Sequence, residues 1–359
     1  MNLTNEKPVF IVHPPIEFVY ALNFIANEES LYKFYQEYNF TPSEEFKQTT
    51  EVMKASLSRH LRSELLYFLQ WQGMLDTLGR VILENSNIKT TSDLIDFIGR
   101  LHEKELVSYI IRQVLCSESS FSESLACWSE CSHIEGNIKQ LISDMEDKSE
   151  EDKEKLMECV DNPLEVKSRL HFLLAQFYER CYKPIEGRLL AESVLAQERY
   201  EKLFNIDPEY FRREFLSKYK GFLCNRLVIH ISYFTQIRPW LFDMKPHNHV
   251  LWVNLGIHTE HYPRKVFIAA KVQKFVRILS DKKRFEMIEL LGEKPHYVHE
   301  LAAELELTPP TVSYHLNSLV DLNLVSIERG KNRTYYSLNK ETVSELLDNA
   351  AEILLKKQI

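Results

Sequence analysis

Glycine is scarce in this sequence. Nine glycines in 359 residues fall well below the usual ~7%, and no two sit close enough to form a phosphate-cradling G-x-G-x-x-G or G-x-x-x-x-G-K-[ST] loop. That excludes Rossmann and P-loop nucleotide enzymes. Long apolar runs are missing too: Leu65 to Leu69 and Val266 to Ala270 fall far short of the ~20 residues a spanning helix needs, so no integral membrane protein is expected. Met1 to Phe10 hold no basic stretch followed by an apolar one, the pattern of a secretory signal, and a cytoplasmic location is expected. Cysteine is sparse, six residues scattered along the chain, and in a reducing compartment these are expected to be thiols.

Charge of one sign does not dominate either. Lys plus Arg number 44 against 52 Asp plus Glu, net −8, which suits solubility without marking a polyanion binder. The average conceals an asymmetry: residues 264–359 hold 15 cations and 13 anions, net +2, leaving 29 and 39, net −10, for residues 1–263. Hydrophobic residues make up 44% of the chain, enough for a sizeable core, and the length favours two domains. The expected division is 1–263 and 264–359, with different jobs for the two parts.

What is present in the first part is helix after helix. Glu44 to Gln70 places Phe46, Val52, Met53, Leu57, Leu61, Leu65, Leu66 and Leu69 at spacings of three and four, which predicts one amphipathic helix. Ser92 opens another through Leu94, Ile95, Ile98 and Leu101, with Asp93 in its first turn, and Lys104 to Leu115 is a third. Asp144 to Glu158 carries eight acids and three lysines and reads as a solvated helix or a hinge. Pro163 suits the first turn of a helix through Leu170, Leu173, Leu174, Phe177 and Tyr178. Leu227 to Phe234 and His249 to Ile257 are β-branched and aromatic, with Pro239 and Pro246 between them, and predict two strands with a turn-rich connection. Tyr262-Pro263-Arg264-Lys265 looks like the domain boundary.

Residues 266–356 carry the more informative pattern. A helix with Val266, Ala269, Val272, Phe275, Val276 and Leu279 stops near Ser280-Asp281, either of which can cap a helix from Lys282 to Leu291 that Gly292 closes. A short helix over Val298 to Leu305 follows, then the Glu306-Leu307 turn, then Thr308-Pro309 starting a helix to about Leu322. Two short helices so joined are a helix-turn-helix candidate. At 100° per residue Val312, Leu316, Leu319 and Val320 share one side of the second helix. Thr311, Tyr314, Asn317 and Ser318 share the other, with Ser313 and His315 at the flanks. Hydroxyl, amide and imidazole groups exchange hydrogen bonds with base edges, and an α-helix fits the ~12 Å major groove. An ordinary surface helix is the alternative. Val325 to Glu328 and Thr334 to Leu338 read as strands around the basic turn Arg329-Gly330-Lys331-Asn332-Arg333, a hairpin whose cations can reach phosphates beside the groove.

Ile278 to Ile288, then His299-Glu300-Leu301-Ala302, Thr311-Val312-Ser313-Tyr314-His315-Leu316, Leu324-Val325 and Arg333 to Leu338 together resemble the ArsR-type winged-helix repressor domain. The resemblance covers about the last quarter of the chain. The periodicities predict a fold that is mainly α, with a large N-terminal helical domain containing a small β part, and the resemblance adds a C-terminal winged helix-turn-helix of α+β type. The resemblance also implies a homodimer, a double-stranded DNA operator with two half-sites, a recognition helix at Pro309 to Leu322, and repression controlled by an effector. The expected base contacts are Thr311, Ser313, Tyr314, His315, Asn317 and Ser318, and the expected phosphate contacts are Arg284, Thr308, Arg329, Lys331 and Arg333. A stripe of Val343, Leu346, Leu347, Ala350, Ile353 and Leu354 on the last helix, with Val272 and Phe275 on the first, is the expected dimer interface. Metal-sensing members carry a cysteine pair where this sequence has Tyr297 and His299, and zinc-sensing members use histidines on the last helix where Lys340 to Ile359 has none. No metal or cofactor is expected at either place.

Other groupings are weaker. Cys127 and Cys131 with His133 are compatible with a soft-metal or redox site, and equally with free thiols. His247, His249, His258 and His261 are zinc-type ligands but lack an acidic or cysteine partner at motif spacing, which favours ordinary boundary histidines. Tyr32, Phe34, Tyr35 and Tyr38 fit either an apolar effector pocket in the N-terminal domain or helix core. Residues 1–263 show no nucleophile elbow, metal-protease helix or kinase set, so no enzyme is expected. An enzyme or a protein-interaction module in residues 1–263, autoregulated by the winged helix, is the alternative function.

Overall fold

Ser43, Ser58, Thr90, Ser149 and Asp207 each start a helix by accepting a backbone N–H with a side-chain oxygen, satisfying a donor that the first turn would leave unpaired. The computed structural model describes residues 7–38, 40–70, 73–116, 138–143, 149–216, 225–237, 240–241, 250–261, 264–329 and 334–355. The chain divides into two compact units, and Arg264 opens the second. No described helix is long and apolar enough to cross a membrane.

Helices of the first unit span Pro14–Ala26, Glu28–Glu37, Glu44–Ala55, Arg59–Leu69, Met74–Glu84, Thr91–Arg100, Glu103–Cys116, Ile138–Ser143, Glu150–Asp161, Pro163–Phe177, Lys183–Ile206 and Pro208–Phe215. Pro14–Ala26 is buried on nearly every side, including Phe18, Leu22 and Phe24. A helix apolar all round belongs at the centre of a core, and its neighbours wrap it with aromatic edges: Phe18 meets Phe177, Tyr178 and Tyr182, and Phe24 meets Phe46. Between Phe177 and Lys183 the backbone takes a single π-helical turn, Tyr178–Tyr182.

The expected single helix over Glu44 to Gln70 is two helices. Ser56 turns its hydroxyl back to the Val52 carbonyl, and Ser58 caps the second helix by accepting from the Leu61 N–H. Val52, expected inside, is 62% exposed as a result. The acidic stretch is helical only over Glu150–Asp161, and residues 144–148 lie outside the described residues. The helix expected from Ser92 starts at Thr91, with Thr90 and Asp93 forming a reciprocal capping box. Tyr35 and Tyr38 are buried, and Tyr35 packs on Tyr32 and Phe40, so the tyrosine-rich run is core.

The two expected strands are present as β2 (Arg226–Ser232) and β4 (Val250–Gly256), with β1 (Val9–Ile11) and β3 (Trp240–Leu241) added in the order β1-β2-β4-β3. β1, β2 and β4 are parallel, with Ile11, His230 and Asn254 abreast, and only β3 is antiparallel. Gly256 ends β4 where an added Cβ would lie 2.0 Å from the Gln236 carbonyl oxygen. Backbone cannot yield as a flexible side chain can, so Gly256→Ala is expected to destabilise the first unit by about 3 kcal/mol or more. Chemical denaturation followed by tryptophan fluorescence reads this directly, and a shift below ~1 kcal/mol would show that the close approach is not rigid.

A polar cluster crosses this core. Glu17 is fully buried, accepts from the Phe234 N–H at 3.1 Å and faces His230 Nε2 at 3.5 Å. His230 is equally buried, its Nδ1 accepts from the His13 N–H at 3.2 Å, and the Tyr20 ring stacks on it. Burial first, and the neighbouring His230 second, push the His13 imidazole down to about 4.

In the second unit the helices are Arg264–Leu279, Lys282–Glu293, Val298–Glu304, Pro309–Val320 and Lys340–Leu355. Strands β6 (Val325–Arg329) and β7 (Thr334–Leu338) pair antiparallel, and β5 (His296–Tyr297), not expected from the sequence, pairs with β7. Phe275, Met287, Leu291, Leu301, Val312, Leu316, Leu319 and Leu324 form the core. Gly292 does not end its helix: the helix runs to Glu293, and Gly292 lies where an added Cβ would touch Leu338 at 3.4 Å.

Candidate nucleic-acid interface

Asp281 begins the construction of the site. Its carboxylate caps the Lys282–Glu293 helix by accepting the Arg284 N–H at 3.0 Å. That hydrogen bond, together with the nearby Arg284 guanidinium, holds the carboxyl below its ordinary range. The next residues tie this helix to the helix-turn-helix: Lys283 Nζ donates to the Leu305 carbonyl at 2.9 Å, satisfying an acceptor at the end of the Val298–Glu304 helix. Glu306 turns the chain in the left-handed region at φ 54°, and the Leu307 N–H closes the turn on the Ala302 carbonyl at 2.9 Å.

Thr308 occupies the cap of the Pro309–Val320 helix without a side-chain capping bond. Its hydroxyl instead meets the Thr311 hydroxyl at 2.8 Å. Val312, Leu316 and Leu319 are buried, whereas Tyr314 is 64% exposed and Asn317 is also exposed. Burial of three such side chains, at ~1.5–3 kcal/mol each, anchors one face and leaves the opposite one outward. Thr311, Ser313, His315 and Ser318 are half-buried at its margins. Val320, expected inside, is 37% exposed because the helix ends there and Asn323 turns left-handed at φ 56°.

His315 and Arg284, expected to make separate contacts, are joined: Arg284 Nε donates to His315 Nδ1 at 3.3 Å. The Tyr314 ring lies edge-on to the imidazole at 5.7 Å. Nothing in the residue spacing announces this link, since the two side chains lie on separate helices 31 residues apart. In the hairpin, Arg329 pairs with Thr334 at the end of the two strands next to their connection, and Lys331 and Arg333 lie outside the described residues.

The apolar stripe is divided. Val272, Phe275 and Leu346 are buried inside the unit, where the first and last helices pack on each other, and Val343 packs against the same core. They have little area left for a partner. Leu347, Ile353 and Leu354 remain exposed, together with Val276 and Leu355, which the sequence reading did not single out for this face. Ala350 is half-buried.

Cys127, Cys131, His133, His247 and His249 lie outside the described residues, and His258 packs beside Phe40 at 6.2 Å. Among the described residues no group of three or more His, Cys, Asp or Glu could hold a metal ion.

The pattern of the bacterial regulatory protein arsR family matches residues 281–326, from the Asp281 cap to the first wing strand. An arsenical resistance operon repressor of Bacillus subtilis (strain 168) is 38% identical over 87 residues, 24% of this chain and 82% of that protein. One from Staphylococcus aureus is 30% identical over 79 residues, 22% of this chain and 76% of that one. Among solved structures, NolR from Sinorhizobium fredii is similar at 29% identity over 27% of this chain and 91% of that one, with a TM-score of 0.22. The chain belongs to the arsR family of bacterial regulatory proteins and is a DNA-binding transcriptional regulator.

Proposed function

We propose that the protein is a cytoplasmic repressor that binds a double-stranded operator as a homodimer, with the Pro309–Val320 helix of each protomer in a major groove. The observation that carries the reading is the division of that helix. Its leucines are sealed into the core, while Tyr314 and Asn317 stand out beside Thr311, Ser313, His315 and Ser318. Those six side chains exchange hydrogen bonds with base edges without adding a fixed charge. Arg284, Thr308, Arg329, Lys331 and Arg333 hold phosphates and set the register of the helix on the duplex. Exposed Leu347, Ile353 and Leu354, continued by Val276 and Leu355, supply the apolar area for pairing two protomers. The N-terminal unit, net −10, is repelled by phosphate and houses the response to an effector.

Selection of bound duplexes from a random library by the full chain tests this. A two-fold symmetric motif is expected, with half-sites about 10 base pairs apart or a multiple of that. Tyr314→Ala and Asn317→Ala are each expected to relax preference at particular base pairs by roughly tenfold while leaving other positions unchanged. Failure to enrich any motif would remove the DNA-reading role assigned to this helix.

A further inference from the structure

We infer that Arg284 locks the His315 ring in the tautomer protonated on Nε2, so that this position of the recognition helix presents a hydrogen-bond donor and selects base edges that carry an acceptor. The inference rests on the proposed entry of the Pro309–Val320 helix into the major groove and names what one of its side chains reads there.

A guanidinium has only donors. The 3.3 Å contact from Arg284 Nε to His315 Nδ1 therefore makes Nδ1 the acceptor. Neutral imidazole carries one proton, and with Nδ1 accepting, that proton sits on Nε2. Nε2 lies across the ring from Nδ1, so its N–H is directed away from the Arg284 Nε that Nδ1 accepts from. The backbone of Arg284 is fixed at the helix start, where its N–H donates to the Asp281 carboxylate at 3.0 Å. Asp281 thus sets the helix turn that carries Arg284, and the Arg284 side chain links that helix to His315 on the recognition helix, with Tyr314 edge-on against the imidazole.

The consequence is chemical. In the major groove guanine offers N7 and O6, adenine N7 and thymine O4 as acceptors, whereas cytosine offers only its N4 amino donor. A ring fixed as a donor pairs with any of the first three and meets cytosine donor to donor. Cytosine on the strand read by His315 is therefore disfavoured by roughly tenfold or more. Arg284 acts here as a positioning residue, through the histidine and not by reading a base.

Two measurements on the full-length chain test this. Multiple-bond proton–nitrogen spectra of protein labelled with ¹⁵N-histidine, with His315 identified by the signals lost in His315→Gln, are expected to show a pyridine-like Nδ1 and a protonated Nε2. Arg284→Met is expected to average the two nitrogens. In library selection the wild-type motif is expected to exclude cytosine at one position per half-site, and Arg284→Met and His315→Gln to admit it there alone. A wild-type ring protonated on Nδ1 overturns the tautomer assignment whatever the DNA does. An Arg284→Met protein that weakens evenly on all sequences, with cytosine still excluded, overturns the positioning role and leaves Arg284 a phosphate contact. A library that yields no motif overturns the DNA-reading proposal and this one with it, while the spectrum still reports the ring.

Discussion

Raising salt from about 50 to about 200 mM is expected to weaken operator binding by roughly 10³- to 10⁵-fold. The size follows from counting cations that can meet phosphate. Arg284 sits in the first turn of the Lys282–Glu293 helix, tied to the recognition helix through His315, Arg329 ends β6, and Lys331 and Arg333 fall between β6 and β7 in the sequence. Three to five such contacts per protomer release a matching number of counterions, giving a slope of log K against log salt of about −5 to −9 for a dimer. Lys331→Ala with Arg333→Ala removes four of these cations from the dimer, so the slope is expected to flatten by about 4. The loss should be the same on every sequence, because phosphate contacts position without reading. Gel-shift titration of wild type and double mutant at several salt concentrations measures both quantities. Equal slopes for the two proteins would remove the wing from the mechanism.

The C-terminal unit was largely legible because its signals are local. Asp281 before a helix, Thr308-Pro309 at a helix start and alternation on either side of a glycine-bearing turn each act within a few residues. Three features there were not legible. Val272, Phe275 and Leu346 read as free for a partner, since periodicity marks an apolar stripe without saying which neighbour covers it. Gly292 read as a stop, but the helix continues past it. The Arg284–His315 bond depends on how two helices pack. The N-terminal unit was legible in its helices and opaque in its sheet. β1 is three residues long, too short for any period to show, and it pairs with a strand more than two hundred residues later. Ser56 to Ser58 broke a helix that the apolar spacing alone would have continued, because a serine cap outweighs one exposed apolar position, Val52.

The same long-range pairing makes the N-terminal unit sensitive to acid. His13 is held at about 4 in the folded chain, against 6.5 for an ordinary histidine, by its burial and by the His230 imidazole beside it. The unfolded chain therefore binds the proton first. Stability from this group is fully present above about pH 6.5 and is lost as the pH falls toward about 4. At ~1.4 kcal/mol per unit, the loss over that window amounts to about 3 kcal/mol. The helix start at Pro14 acts in the same direction, since the positive end of its dipole disfavours an imidazolium. All four tryptophans precede residue 264, and Trp252 lies edge-on to the His13 ring at 6.2 Å, so tryptophan fluorescence follows this unit without contribution from the winged helix. Urea unfolding monitored that way at pH 7, 6, 5 and 4 is expected to show a falling midpoint. His13→Asn keeps the backbone N–H that His230 accepts and removes the titrating ring, so its midpoint should fall less over the same range. Parallel decline in both proteins would place the acid sensitivity elsewhere in the core.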